Sequence, residues 1–315
     1  AEAEAAAQRV CALDPSAAVS YATLANIYIV RGELDRAIAT LESGYAQTNA
    51  SNLLGMLTHQ LRQACDWTKW RAAWDKMAPG IERGAALGSP FWLLCEPTTA
   101  QQQLAYTRRW AESRFNSVTP GARGAGIAPR RHPRLRIGYL SSDFQEHAAA
   151  CLIAEVLELH DRERFEVFAY SHGPDDRGAM RRRLRAACEH FIDIAWEPDD
   201  IAAERIRGDT LDLLVDLKGY TAGDRLTIMA RRPCDVQVTW LGYPGTTGAA
   251  FIDYLIADAF IIPPERESAY SERIVRLPHC YQPNDRKRAV AEALRRPDYG
   301  LPDRAFVFCC FNQTY

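Results

Sequence analysis

The alternation of β and α segments after residue 134 constrains the fold more than any other feature. From Leu135 onward, short apolar segments typical of strands alternate with helical segments of about ten to fifteen residues. Strands joined through such helices run parallel, so the pattern predicts a doubly wound sheet. The expected strands are 135–140, 165–171, 190–194, 211–217, 235–240, 254–257 and 273–277, with a further apolar strand at 305–311. The expected helices between them are 147–159, 176–188, 199–208 and 224–231.

The first 48 residues have the spacing of a helical repeat. Seven positions match the tetratricopeptide unit of about 34 residues: Tyr21, Leu24, Ala25, Tyr28, Gly32, Ala37 and Leu41. This unit is a helix, a turn at Gly32 and a second helix. A simple antiparallel helical hairpin is the alternative. Because one and a half repeats do not cover their own ends, further repeats are expected before residue 1.

The residues from 51 to 133 differ in pattern from the repeat. Leucines and tryptophans three or four positions apart over 51–115 form an apolar stripe that is expected to lie in a core. The glycines, prolines and arginines of 121–133 are typical of a linker.

Composition excludes several classes of protein. The net charge of −2 argues against nucleic-acid binding through bulk electrostatics, and the arginine cluster at 181–185 is interpreted as a solvated helix face. No apolar segment reaches the roughly 20 residues that span a bilayer, and no signal sequence opens the chain. The nine cysteines show no zinc-site spacing and are typical of reduced thiols in a cytoplasm. We therefore expect a cytoplasmic protein with no metal, nucleic-acid or membrane partner.

Polar residues follow the first predicted strand directly. Asp143 and His147 lie four residues apart, where ligands of α/β sheets bind, and could face one crevice for acid–base or phosphate chemistry. The alternative is that Asp143 caps the next helix and His147 is an ordinary first-turn residue.

Other loops are expected at the same rim, because the carboxyl ends of parallel strands share one edge. These loops are 218–221, 241–248 and 312–315. Lys218 could meet a phosphate there, although a solvated loop lysine is the preferred interpretation. Pro244 stiffens its loop, and Gly245 and Gly248 allow a close backbone approach. No dinucleotide, P-loop, serine-hydrolase or zinc-protease motif is present, which weakens those interpretations.

Four motifs and the repeat together resemble one known family. The motifs are RIGYLSSDFxxH, KGYTxG, WLGYPGTTG and FNQxY, in that order along the chain. This combination is similar to the O-GlcNAc transferase family and to the related SPINDLY-type O-fucosyltransferases. The resemblance implies the GT-B fold, in which two Rossmann-like lobes hold a nucleotide sugar between them.

The fold class expected from this resemblance is α plus α/β: helical repeats followed by a Rossmann-like lobe, with the second lobe mostly beyond residue 315. The expected domains are partial repeats at 1–50, a helical region at 51–120 that packs the repeats on the catalytic domain, the N-terminal lobe at 134–295, and the start of the C-terminal lobe at 296–315. By itself the chain is expected to be an inactive fragment.

The resemblance also implies an activity. It is the inverting transfer of GlcNAc from UDP-GlcNAc to Ser or Thr hydroxyls of proteins, with no metal or other cofactor and with the acceptor bound along the repeats. The alternatives are O-fucosyl transfer from GDP-fucose, and a repeat scaffold whose transferase domain has lost activity.

Site residues are carried over from the family's motifs. His147 matches a residue proposed as catalytic base or sugar-site residue, and Asp143 matches its partner in proton transfer. The predicted substrate-binding residues are Tyr220, Thr221, Leu241, Gly242, Pro244, Gln313 and Tyr315. Asn26, on the first helix of the repeat, is the predicted contact for an acceptor backbone. The chain departs from animal members at 148–150 and at 91–92, which leaves the sugar and the acceptor open.

Overall fold

The computed structural model describes residues 2–85, 87–120, 132–289, 292 and 294–310. The chain forms two compact units, one of Ala1–Asp75 with Arg286–Tyr315 and one of Lys76–Asp285. The domain boundaries expected from the sequence stay predictions. Gln313, Tyr315 and most of the expected linker at 121–133 lie outside the described residues.

The first unit consists mainly of antiparallel helices. These are α1 (Glu2–Leu13), α2 (Ala18–Val30), α3 (Leu34–Thr48), α4 (Ser51–Gln63) and the first half of α5 (Trp67–Arg83). Gly32 closes the α2–α3 turn with a φ of +72°, a conformation that favours glycine. A Cβ on Gly44 would lie 2.5 Å from the ring of Tyr21, so α2 and α3 pack too closely for a larger residue there. Helix, glycine turn and helix therefore lie where the repeat spacing predicts them.

The tryptophan stripe of α5 is only partly buried. Trp70 and Trp74 are buried and stack with ring centroids 6.5 Å apart. Trp67 packs edge-on against Trp70 but is 54% exposed, so one member of the predicted core stripe lies at the surface.

The second unit contains a seven-stranded parallel sheet. Its strands are β1 (Leu135–Ser141), β2 (Phe165–Ser171), β3 (His190–Asp193), β4 (Leu213–Asp216), β5 (Gln237–Thr239), β6 (Tyr254–Asp258) and β7 (Arg273–Leu277). Its helices are α6 (Pro90–Leu93), α7 (Ala100–Phe115), α8 (Ala148–Glu158), α9 (Ala179–Ala187), α10 (Asp199–Gly208) and α11 (Leu226–Ala230). Short 3₁₀ helices occupy Pro264–Ala269 and, in the first unit, Arg296–Tyr299. None of the described helices is long and apolar enough to cross a membrane.

The strand order is β3-β2-β1-β4-β5-β6-β7, and every pair is parallel. The chain moves outward in one direction from β1 and then returns to continue in the other, which is the Rossmann arrangement. The predicted doubly wound sheet is confirmed. The order reverses between β1 and β4, and α/β proteins bind ligands beyond the carboxyl ends of such a strand pair.

Helices cover both faces of the sheet. Leu140 and Leu214 belong to the buried cluster on one face, which also contains Phe115 of α7. Val215 lies in the opposite cluster with Ile153 of α8 and other residues of α8 and α9. Because both faces are buried, the strands are nearly continuous apolar segments, as parallel strands usually are.

The strand predicted at 305–311 is wrong for the part that the structure describes. Residues 305–310 form no strand, and Phe306 and Phe308 are 83% and 90% exposed. A strand needs a neighbour for its backbone N–H and C=O groups, and none of the described strands pairs with this segment. Phe311 lies outside the described residues.

Candidate functional site

A buried ion pair joins the loops that follow β1 and β4. Both carboxylate oxygens of Asp143 lie 2.8 Å from Nζ of Lys218, and the two side chains are 9% and 5% exposed. A lysine buried this deeply is stable as a cation only with a close counter-charge, which Asp143 supplies. The interpretation of Lys218 as a solvated loop lysine is therefore wrong. The pair lies at the switch point of the sheet, between β1 and β4, where the strand order reverses.

One serine hydroxyl contacts the Asp143 carboxylate, and a second accepts the backbone N–H of Asp143. Ser142 Oγ donates to Asp143 Oδ1 at 3.1 Å, and the Asp143 N–H donates to Ser141 Oγ at 2.9 Å. These short-range bonds hold the loop in a tight turn directly after β1.

Arg181 of α9 also contacts the loop that carries Asp143. Its guanidinium donates to the carbonyl of Phe144 at 3.1 Å and to Ser171 Oγ at 2.9 Å, and it pairs with Asp193. Arg181 is 4% exposed, so the predicted solvated helix face is wrong for this arginine. It positions the loop of Asp143 instead.

His147 is accessible and lies beside the ion pair. Its Nδ1 is 3.6 Å from Asp143 Oδ2, and its side chain is 45% exposed. His147 is the N-cap of α8, where Nδ1 accepts the N–H of Ala149 at 3.1 Å. The alternative that Asp143 caps this helix is wrong, because His147 does so. A backbone N–H can only donate, so the proton of the neutral ring is on Nε2.

Asp216, at the end of β4, shapes the turn that carries Lys218. Its carboxylate accepts the N–H groups of Lys218 at 3.2 Å and Gly219 at 2.7 Å. Burial raises the pKa of Asp216 to about 6. Gly219 has a φ of +53°, and a Cβ there would lie 2.3 Å from Tyr243. The turn therefore requires glycine and directs Lys218 towards β1.

Tyr220 and Thr221 complete this turn. Tyr220 is buried and donates to the carbonyl of Thr247 at 2.8 Å, and its ring meets Tyr243 edge-on. Its hydroxyl therefore holds the 241–248 loop through a buried hydrogen bond. Thr221 is half-buried and donates to the Lys218 carbonyl at 2.9 Å. The predicted substrate contacts of both residues stay predictions.

Leu241, Gly242 and Pro244 lie in the loop after β5. Leu241 has a φ of +73°, a left-handed conformation that is strained for a branched side chain. A Cβ on Gly242 would lie 2.0 Å from the carbonyl oxygen of Leu217, so the two loops touch through their backbones. Leu241 and Pro244 line a pocket of about 260 Å³.

The pocket is mainly apolar and aromatic. Its other lining residues come from β5, β6 and the segments after them and include Trp240, Tyr270 and Tyr281. A concave surface of this kind suits the body of a small ligand, with polar groups at its edge setting orientation.

Glu272 anchors the 241–248 loop, although sequence reasoning did not identify it. This carboxylate is buried and accepts Thr246 Oγ1 at 2.7 Å, the N–H of Thr247 at 2.6 Å and the hydroxyl of Thr247. Two threonines are thereby tied to the start of β7, which makes the loop rigid.

His172, just after β2, is a second histidine that sequence reasoning did not assign to the site. It is 9% exposed, and its Nε2 has no hydrogen-bond partner among the described residues. Burial, with the positive charges of Arg225 and Lys218, lowers the pKa of His172 to about 3. His172 is therefore neutral at physiological pH and adds no charge near the ion pair.

No group of three or more His, Cys, Asp or Glu side chains suited to a metal ion occurs within the described ranges.

Gly248 offers a stability test of this loop. Its φ is +64°, and an added Cβ would lie 2.4 Å from the backbone nitrogen of Arg108 in α7. We expect Gly248→Ala to lower the free energy of unfolding by about 3 kcal/mol or more, measured by denaturant unfolding. Gly208→Ala is the matched control, since nothing lies within 4 Å of its added Cβ. Equal effects of the two substitutions would contradict the close loop–helix packing.

Known proteins resemble this chain over most of its length. A model of glycosyl transferase family 41 matches residues 124–296. A probable UDP-N-acetylglucosamine–peptide N-acetylglucosaminyltransferase of Arabidopsis thaliana, SEC, is 37% identical over 82% of this chain and 28% of its own length. The Caenorhabditis elegans UDP-N-acetylglucosamine–peptide N-acetylglucosaminyltransferase is 34% identical over 69% of this chain and 20% of its own.

A solved structure shows the same relationship in three dimensions. A mutant O-GlcNAc transferase of Thermobaculum terrenum superposes with a TM-score of 0.67 and 29% sequence identity. The match covers 89% of this chain and 54% of that one. This chain therefore spans about half of the solved relative and less than a third of the two sequence relatives.

Proposed function

The chain belongs to glycosyl transferase family 41, and on that premise we propose that its protein transfers GlcNAc from UDP-GlcNAc to Ser and Thr hydroxyls of other proteins. The names of the Arabidopsis and Caenorhabditis relatives support this donor and a peptide acceptor. We place the protein in the cytoplasm, because its nine cysteines lack framework spacing and are typical of reduced thiols.

The observation that carries the proposal is the position of His147. An accessible imidazole lies 3.6 Å from a buried carboxylate at the switch point of a doubly wound sheet, where nucleotide ligands bind. Leu241 and Pro244 line a pocket beyond the neighbouring strand β5. We propose that His147 contacts the reacting sugar and that Asp143 supports the loop of His147. Leu241, Gly242 and Pro244 are proposed to line the sugar site.

The proposed reaction is a single displacement. The acceptor hydroxyl oxygen forms a bond to the anomeric carbon of GlcNAc, the bond from that carbon to the diphosphate oxygen breaks, and UDP leaves with the electron pair. The proton of the acceptor hydroxyl passes through solvent to an oxygen of the departing UDP, and the anomeric configuration inverts. We propose that protein hydrogen-bond donors, without a metal ion, stabilise the charge on the departing diphosphate. The resemblance of the motifs to the O-GlcNAc transferase family supports this part.

Donor binding tests the proposal. In calorimetry, the full-length protein should bind UDP-GlcNAc and bind GDP-fucose at least tenfold more weakly. The dissociation constant for UDP-GlcNAc should change less than twofold when EDTA replaces Mg²⁺. Preference for GDP-fucose would contradict the donor, dependence on Mg²⁺ would contradict the metal-free chemistry, and binding of neither sugar would indicate a repeat scaffold.

We propose that the protein acceptor lies along the helical repeat. Asn26 of α2 is exposed, and its amide can bond an extended backbone without reading side chains. We expect Asn26→Ala to raise the apparent KM for a protein acceptor about threefold or more and to leave the KM for UDP-GlcNAc unchanged. Gln47→Ala, which removes an exposed amide from α3, is the control. An unchanged protein KM in the Asn26 variant would remove this residue from the acceptor path.

A further inference from the structure

We propose that Lys218 is a positioning residue that keeps His147 a hydrogen-bond donor through Nε2. In this view His147 donates to an oxygen of the bound sugar or acceptor and does not take the proton of the acceptor hydroxyl. The assignment of His147 to the sugar rests on the proposed function, whereas the effect of Lys218 on His147 rests on contacts within the chain.

Lys218 forms an ion pair with the carboxylate that His147 would need as its own partner if it acted as a general base. A histidine that accepts a proton at Nε2 usually donates from Nδ1 to a carboxylate, which orients the ring and stabilises its cation. Asp143 is the carboxylate nearest to His147, but both of its oxygens lie 2.8 Å from Lys218 Nζ. A carboxylate whose charge is compensated at this distance attracts a second cation weakly.

The geometry at Nδ1 leads to the same conclusion. Asp143 Oδ2 is 3.6 Å from His147 Nδ1, which is too far for a hydrogen bond. The N–H of Ala149 is 3.1 Å away and needs Nδ1 as an acceptor, because it is one of the unpaired donors at the start of α8. A proton on Nδ1 would break this cap. With Lys218 in place, no equivalent bond to Asp143 replaces it.

Loss of the Lys218 ammonium group reverses the preference of His147 between its two tautomers. Once Lys218 is neutral, an ionised Asp143 becomes a free acceptor beside the imidazole. A shift of about 0.6 Å would bring Oδ2 within the usual hydrogen-bond distance of Nδ1. The tautomer with a proton on Nδ1 then gains a charge-assisted bond of the kind that is about twice as strong as a neutral one. Lys218 therefore determines which ring nitrogen faces the substrate with a proton.

Nitrogen NMR of the imidazole rings tests this directly and needs no turnover. The His147 signals are assigned by their loss in His147→Asn, and the tautomer is read at pH 8. We expect the wild-type ring to be at least nine-tenths Nε2–H. In Lys218→Met the Nδ1–H fraction should rise at least fivefold. A wild-type ring that is mainly Nδ1–H overturns the proposal even if the Met variant does not fold, and so does an unchanged tautomer in a folded Met variant.

Kinetics provide the second arm. With UDP-GlcNAc and a peptide, Lys218→Met is expected to lower kcat at least tenfold while the KM for UDP-GlcNAc changes less than twofold. Lys218→Arg can keep both bonds to Asp143, so its kcat should be at least fivefold higher than that of Lys218→Met. Recovery by Arg without any tautomer change in Met would assign Lys218 a purely structural role and overturn the inference. Expected tautomers in a protein that transfers no GlcNAc would instead contradict the proposed function.

Discussion

His147→Asn is expected to lower the turnover of the full-length enzyme by more than tenfold without unfolding it. The imidazole is 45% exposed beside a buried ion pair and is the proposed contact to the reacting sugar. Loss of one such contact in a transition state typically lowers kcat by about ten- to a thousandfold. The measurement is kcat with UDP-GlcNAc and a Ser/Thr peptide, together with thermal unfolding.

Asparagine and alanine separate the two roles of this residue. His147 is the N-cap of α8, and its loss as a cap costs about 1 kcal/mol when the replacement is alanine. Asparagine is itself a good N-cap, so His147→Asn should keep the stability that His147→Ala loses. Both should lose activity to a similar extent. Turnover within twofold of wild type in His147→Asn would leave His147 with the capping role alone.

Lys218→Met is expected to lower the free energy of unfolding by about 3–5 kcal/mol, because it leaves the buried Asp143 carboxylate without its cation. For a unit of this size, the unfolding midpoint should fall by roughly 10 °C. The same substitution at Lys69 is the control. Lys69 pairs with Glu42 at 3.0 Å, but both side chains are more than 40% exposed, so its loss should cost less than about 1 kcal/mol.

The double variant tests whether the destabilisation comes from the unpaired charge. Asp143→Asn combined with Lys218→Met removes both charges and should be within about 2 kcal/mol of wild type. Additive losses in the double variant, or equal losses for Lys218→Met and Lys69→Met, would show that Asp143 and Lys218 do not form a buried pair in solution.

The parallel sheet could be predicted because its signals are local. Each strand is a short apolar segment bounded by turn residues, and each crossover helix lies between two of them. The segment at 305–310 has the same local pattern but forms no strand. Apolar alternation indicates a strand only where a neighbour is available for its backbone, and residue order alone does not reveal that neighbour.

The candidate site could be predicted only in part. Asp143 and His147 are four residues apart after a strand, so their proximity follows from local geometry. Lys218 lies 75 positions from Asp143, and neither the KGYTxG motif nor the spacing around it signals that the lysine is buried. Glu272 is likewise 25 residues from the threonine that it anchors. Ion pairs between distant loops depend on strand order, which places β4 beside β1, and the sequence does not state that order directly.

Mass spectrometry of a Ser/Thr peptide incubated with the full-length protein and UDP-GlcNAc shows whether the protein transfers GlcNAc. We expect the addition of one N-acetylhexosamine to a hydroxyl, with undiminished yield in EDTA, and NMR of the product should show the inverted β linkage. His147→Asn, folded and able to bind UDP-GlcNAc, should give less than a tenth of the product. Folded wild-type protein that transfers no GlcNAc to any of a panel of peptides and proteins, or that transfers fucose from GDP-fucose instead, would contradict it.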